Sequence, residues 1–75
     1  MTTRKQELLE RRTADIMILR QEFKVRKFTD YQYRIDGFID LYPTNRAYHN
    51  IKTQERGIYP QGDIEPFIYK QKEKI

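Results

Sequence analysis

His49 is the one histidine of the 75-residue chain, and the sequence holds neither cysteine nor serine. A nucleophile–base pair would have to be built from threonine or tyrosine hydroxyls, which are rare nucleophiles. As a metal ligand His49 lacks companions, since no cysteine, second histidine or adjacent acid accompanies it. Asp40, Lys52 and Glu55 are the residue types of a metal-dependent nuclease, but their spacing matches no such motif. With only Gly37, Gly57 and Gly62 there is no glycine-rich phosphate loop. The inventory points away from an enzyme: no catalytic residue, metal or cofactor is expected.

Binding chemistry is better supplied. Asp40, Tyr42, Asn45, Arg46, Tyr48, His49, Lys52 and Arg56 bring tyrosine and arginine together on strand ends and turns, and these types are enriched at binding hot spots. A second group, Arg20, Lys24, Arg26 and Lys27, has the charge to contact phosphates. The chain carries 15 Lys plus Arg against 11 Asp plus Glu, a net +4. Residues 1–28 hold eight bases and four acids (+4), residues 29–63 four and five (−1), and residues 64–75 three and two (+1). The cations are thus N-terminal, while most tyrosines lie in the near-neutral middle. A nucleic-acid platform combines the two on one surface, so the sequence order weakens that reading unless folding reunites them. Met17 and Ile18 point away from the expected core and mark a possible homodimer contact.

These groups need elements to position them. Thr3 and Gln6 fit a capping box at the start of a helix expected over residues 3–23. Leu8, Leu9, Ile16, Leu19 and Phe23 fall in one sector about 100° wide, with Arg12 in its middle, expected to snorkel. The basic stretch from Lys24 to Lys27 reads as a bridge to a sheet over about residues 30–60. Asp36-Gly37 between alternating segments predicts a two-residue hairpin. That turn would set Arg34 opposite Ile39 and Tyr33 opposite Asp40, leaving both faces part apolar. Ala47 to Thr53 reads as a third strand and Ile58-Tyr59 as a short fourth; residues 63–75 read as a helix capped by Asp63 or as an extended tail. The expected fold is α+β in one domain spanning residues 1–75: a long helix on a three- to four-stranded antiparallel meander, with a short C-terminal element. No apolar run nears the roughly 18 residues of a membrane span and no signal peptide is visible, so a cytoplasmic protein without membrane contact is expected.

The run Tyr33-Arg34-Ile35-Asp36-Gly37-Phe38-Ile39-Asp40-Leu41-Tyr42-Pro43-Thr44, followed by Tyr48-His49, Lys52-Thr53 and Arg56-Gly57, resembles a hairpin signature of short accessory proteins of tailed phages. The match covers about a third of the chain, and Asp36 stands where asparagine is more usual. The resemblance implies a viral accessory protein that binds and inhibits a host protein or ribonucleoprotein, as anti-CRISPR and other anti-defence inhibitors do. It implies no catalytic residue. A small basic nucleic-acid-binding module is the alternative.

Overall fold

The structure, a computed structural model, describes residues 3–75. Its first helix, α1, spans Arg4–Ile18 and opens on the expected capping box. The Thr3 hydroxyl accepts from the Gln6 amide at 3.2 Å, and Gln6 Oε1 accepts from the Thr3 amide at 2.9 Å. The helix stops sooner than its apolar stripe suggested: Leu19–Gln21 tighten into a 3-10 turn before Phe23. Ile16, Leu19 and Phe23 are buried, while Leu8 and Leu9, near the helix start, are only half-buried.

Among the described residues one antiparallel sheet follows, with five strands in sequence order: β1 Val25–Thr29, β2 Gln32–Ile35, β3 Ile39–Tyr42, β4 Ala47–Asn50 and β5 Arg56–Ile58. The expected three to four strands were too few because Lys24 to Lys27 is no bridge. Val25–Thr29 pairs with β2, with Val25 opposite Ile35 and Arg26 opposite Arg34. Its charges mask a strand in the sequence, yet charge is what an exposed edge strand favours.

The hairpin register settles which side chains go where. Asp36 (φ 49°) and Gly37 (φ 71°) both take the left-handed backbone required at the centre of this turn, and the Phe38 amide donates to the Ile35 carbonyl at 3.1 Å. The ladder then resumes one residue later than a plain two-residue turn predicts: Ile35 faces Ile39, Arg34 faces Asp40 and Tyr33 faces Leu41. Phe38 is the extra residue of a bulge. Because side chains alternate, that one-residue slip reverses the faces of β3. Tyr33, Ile35, Ile39 and Leu41 now share one apolar face, while Gln32, Arg34, Asp40 and Tyr42 share the other. Phe38 itself still reaches the core.

A second helix, α2, spans Ile64–Glu73 and answers the question of the tail. Asp63 precedes it in a left-handed conformation (φ 40°), and its carboxylate makes no capping hydrogen bond. Ile64 and Ile68 of α2 join Ile16, Leu19 and Phe23 over the apolar face of the sheet, with Tyr59 completing the core. Both helices therefore lie on one side.

Three polar ties hold this side together. Arg12 does not snorkel; its Nη1 donates to the carbonyls of Pro43 (3.1 Å) and Thr44 (2.8 Å), pinning α1 to the end of β3. Asn50 is fully buried. Its Nδ2 donates to Gln71 Oε1 (3.2 Å), and its Oδ1 accepts from the amides of Lys52 and Thr53, both at 3.1 Å. Asp36, whose place the turn alone would explain, also accepts from the Lys24 amide (2.7 Å) and from Lys72 Nζ of α2 (2.8 Å). No helix among the described residues is long and apolar enough to cross a membrane.

Candidate functional site: the open face of the sheet

With both helices on one side, the opposite face of the sheet is left uncovered by secondary structure. Antiparallel sheets commonly carry polar residues there, but this face is more specific than a generic polar surface. The registers place Arg26 (β1), Arg34 (β2), Asp40 (β3), His49 (β4) and Arg56 (β5) in a single row across all five strands. Two residues further along the strands, Gln32, Tyr42, Ala47 and Ile58 form the neighbouring row; Thr29 of β1 stands opposite Gln32, and Phe28 lies in the irregularity of β1 between Lys27 and Thr29.

Asp40 is the one acid on this face, and it is covered: 3% of it is exposed. Arg34 grips it through Nε–Oδ1 at 2.8 Å and Nη2–Oδ2 at 3.2 Å, and Gln32 Nε2 donates to the same Oδ2 at 3.2 Å. Chiefly because of this bond, the Arg34 guanidinium is held even more firmly protonated than usual. Phe28, 39% exposed, lies beside two guanidinium groups: Arg34 at 4.6 Å from its ring centroid and Arg26 at 5.2 Å. At the other end a shallow depression of about 320 Å³ is lined in part by Tyr42, Ala47, His49 and Arg56. His49 Nε2 lies 3.4 Å from Gln54 Oε1, and Ile58 is 61% exposed.

Of the sequence-derived partner patch, Asp40, Tyr42, His49 and Arg56 meet on this face. Tyr48 does not: it alternates to the helix side and packs edge-on against Phe67, centroids 4.9 Å apart. There it also fills the space over Gly57, where an added Cβ would lie 3.0 Å from its ring. Asn45 and Arg46 form the β3–β4 turn; Asn45 Oδ1 accepts from the Ala47 amide (3.2 Å), and Arg46 Nη1 donates to the Tyr59 carbonyl (3.4 Å). Lys52 stands exposed in the β4–β5 loop.

Of the phosphate-binding set only Arg26 joins the face. Arg20 lies in the 3-10 turn, Lys24 precedes β1, and Lys27 pairs with Asp30 at 2.9 Å. Met17 packs against the core, whereas its neighbour Ile18 is 59% exposed. Phe28, Gln32 and Arg34 are members of the face that the sequence reading passed over. The signal for Arg34 was available: only a one-residue bulge lets Tyr33, Ile35, Ile39 and Leu41 share an apolar face.

Among the described residues, no group of three or more histidines and acids is disposed to hold a metal ion. No protein-family model, curated protein or solved structure matches the chain significantly.

Proposed function

We propose that this is a non-enzymatic, phage-type accessory protein that docks the open face of its sheet on a ribonucleoprotein of the host and so inhibits or modulates it. One observation carries the reading: folding brings Arg26, from the basic N-terminal third, into the same row as Arg34, His49 and Arg56 beside Tyr42. Cations and aromatic rings that the sequence keeps apart thus share one surface. Three arginines against the single, covered Asp40 leave the face at +2 with His49 neutral, a surface complementary to an anionic partner. The phage character rests on the hairpin resemblance.

Affinity capture from host lysate tests it. The exposed pair Arg26→Glu and Arg56→Glu should abolish capture of a complex of protein and RNA that the wild-type chain retains. Arg11→Glu, on the exposed side of α1, should leave capture intact. Equal capture by the double variant would remove the open face from the function.

A further inference from the structure

Resting on that reading of the open face, we infer that its occupant is a single-stranded segment of nucleic acid, with phosphates on Arg26, Arg34 and Arg56 and a base stacked at Phe28.

The cations are spread along a track rather than gathered at a point. Arg26 and Arg56 stand four strands apart, about 19 Å at about 4.8 Å per step, with Arg34 and His49 between them. A track of this kind follows a backbone that bears one charge per unit. Arg34 commits Nε and Nη2 to Asp40 and retains Nη1, which has no partner among the described residues. Asp40 thus fixes the guanidinium without occupying all its donors. The acids of the nearby loops are engaged elsewhere: Asp30 with Lys27, Asp36 with Lys72 and Glu55 with Lys74. They add no unpaired carboxylate beside the track, where Asp40 is the one acid.

The ring chemistry separates a nucleic acid from an acidic protein. An acidic segment would satisfy the arginines and leave Phe28 and Tyr42 without a matching surface. A nucleobase matches both, because it stacks on an aromatic ring and on a guanidinium plane alike, and Arg26–Phe28–Arg34 presents these side by side. The strand must be single, since a duplex hides its base faces from a sheet.

Fluorescence anisotropy of the full chain with a labelled 12-nucleotide oligouridylate, a 12-base-pair duplex and a 12-residue polyglutamate tests the assignment. Three phosphate contacts predict a salt slope near −2, hence binding to the oligouridylate about twentyfold weaker at 200 mM salt than at 50 mM. Arg56→Gln should lower that slope by about 0.7. Phe28→Ala should weaken binding roughly tenfold with the slope unchanged, and Phe28→Tyr should restore it. No binding of the oligouridylate at about 100 µM protein in 50 mM salt overturns the inference, as does equal binding of the duplex or preference for polyglutamate. If lysate capture still depends on Arg26 and Arg56 in that case, the docking face stands and only its occupant is wrong. If capture is also independent of them, both readings fall.

Discussion

Asp40 sits where its charge works against the partner proposed for its own face, so its role there is to hold Arg34. The carboxylate anchors that guanidinium from the adjacent strand through two hydrogen bonds, and a partly exposed arginine loses less freedom on binding when its fork is already oriented. Asp40→Asn keeps the shape and one acceptor but removes the charge. Thermal unfolding should show a loss of about 1 kcal/mol, modest because Arg34 is partly in water. Anisotropy should show a flatter, not steeper, dependence on the arginine, since the gain in net charge comes with a loosened Arg34. Tighter oligouridylate binding together with unchanged stability would show that Asp40 merely opposes the ligand. Residue types alone disclosed this much: the absence of cysteine and serine, and the tyrosine–arginine density between residues 42 and 56. They did not disclose that Asp40 is partnered, because its partner depends on register.

At the scale of the element, one residue decides the chemistry of the molecule. Without the bulge at Phe38, Asp40 and Tyr42 would turn under the helices and Ile39 and Leu41 would turn outward. Deleting Phe38 would leave Asp36-Gly37 as a plain two-residue turn with Ile35 still opposite Ile39, so the faces should survive. Urea titration should then show the loss of a core aromatic, about 3–5 kcal/mol, whereas Phe38→Leu, which keeps most of the volume, should cost only about 1–2 kcal/mol. Similar stability of the two variants would mean that the Phe38 ring contributes little to the core. The sequence made the turn legible through Asp36-Gly37 and the capping box through Thr3 and Gln6, because both are local. The bulge and β1 were hidden because they are settled by contacts across the sheet. Val25–Thr29 becomes a strand by pairing with β2, and nothing within those five residues alternates cleanly.

For the whole molecule, the ties between sheet and α2 are the ones that pH can cut. Burial pushes the Asp36 carboxyl up, but hydrogen bonds from Lys72 and the Lys24 amide, with the charges of both lysines, outweigh it and leave it below its ordinary value. Glu55 is likewise lowered, first by its hydrogen bond from Lys74 and then by Gln71. A carboxyl depressed in the folded state contributes stability that is present above its unfolded value, about 4, and is lost as pH falls through the folded one. At the alkaline end, burial raises Tyr59 to about 12. That contribution is complete below the ordinary tyrosine value near 10 and fades between there and about 12. Melting followed by circular dichroism should give a plateau between about pH 5 and 9 that declines on both sides. Lys72→Ala should lower the plateau and flatten its acid limb, and an unchanged acid limb would exclude the Asp36–Lys72 tie.

The two strands at the ends of the meander have a consequence beyond binding. A five-stranded open sheet presents unpaired backbone along β1 and β5, the kind of border along which identical chains add to one another and grow into fibres. Here β5 is three residues long and Pro60, which cannot donate to a ladder, stands two residues past its end, while β1 carries Arg26 and Lys27. The same arginine proposed to meet the ligand therefore also guards the border, and Arg26→Val would trade that contact for a chain prone to polymerise.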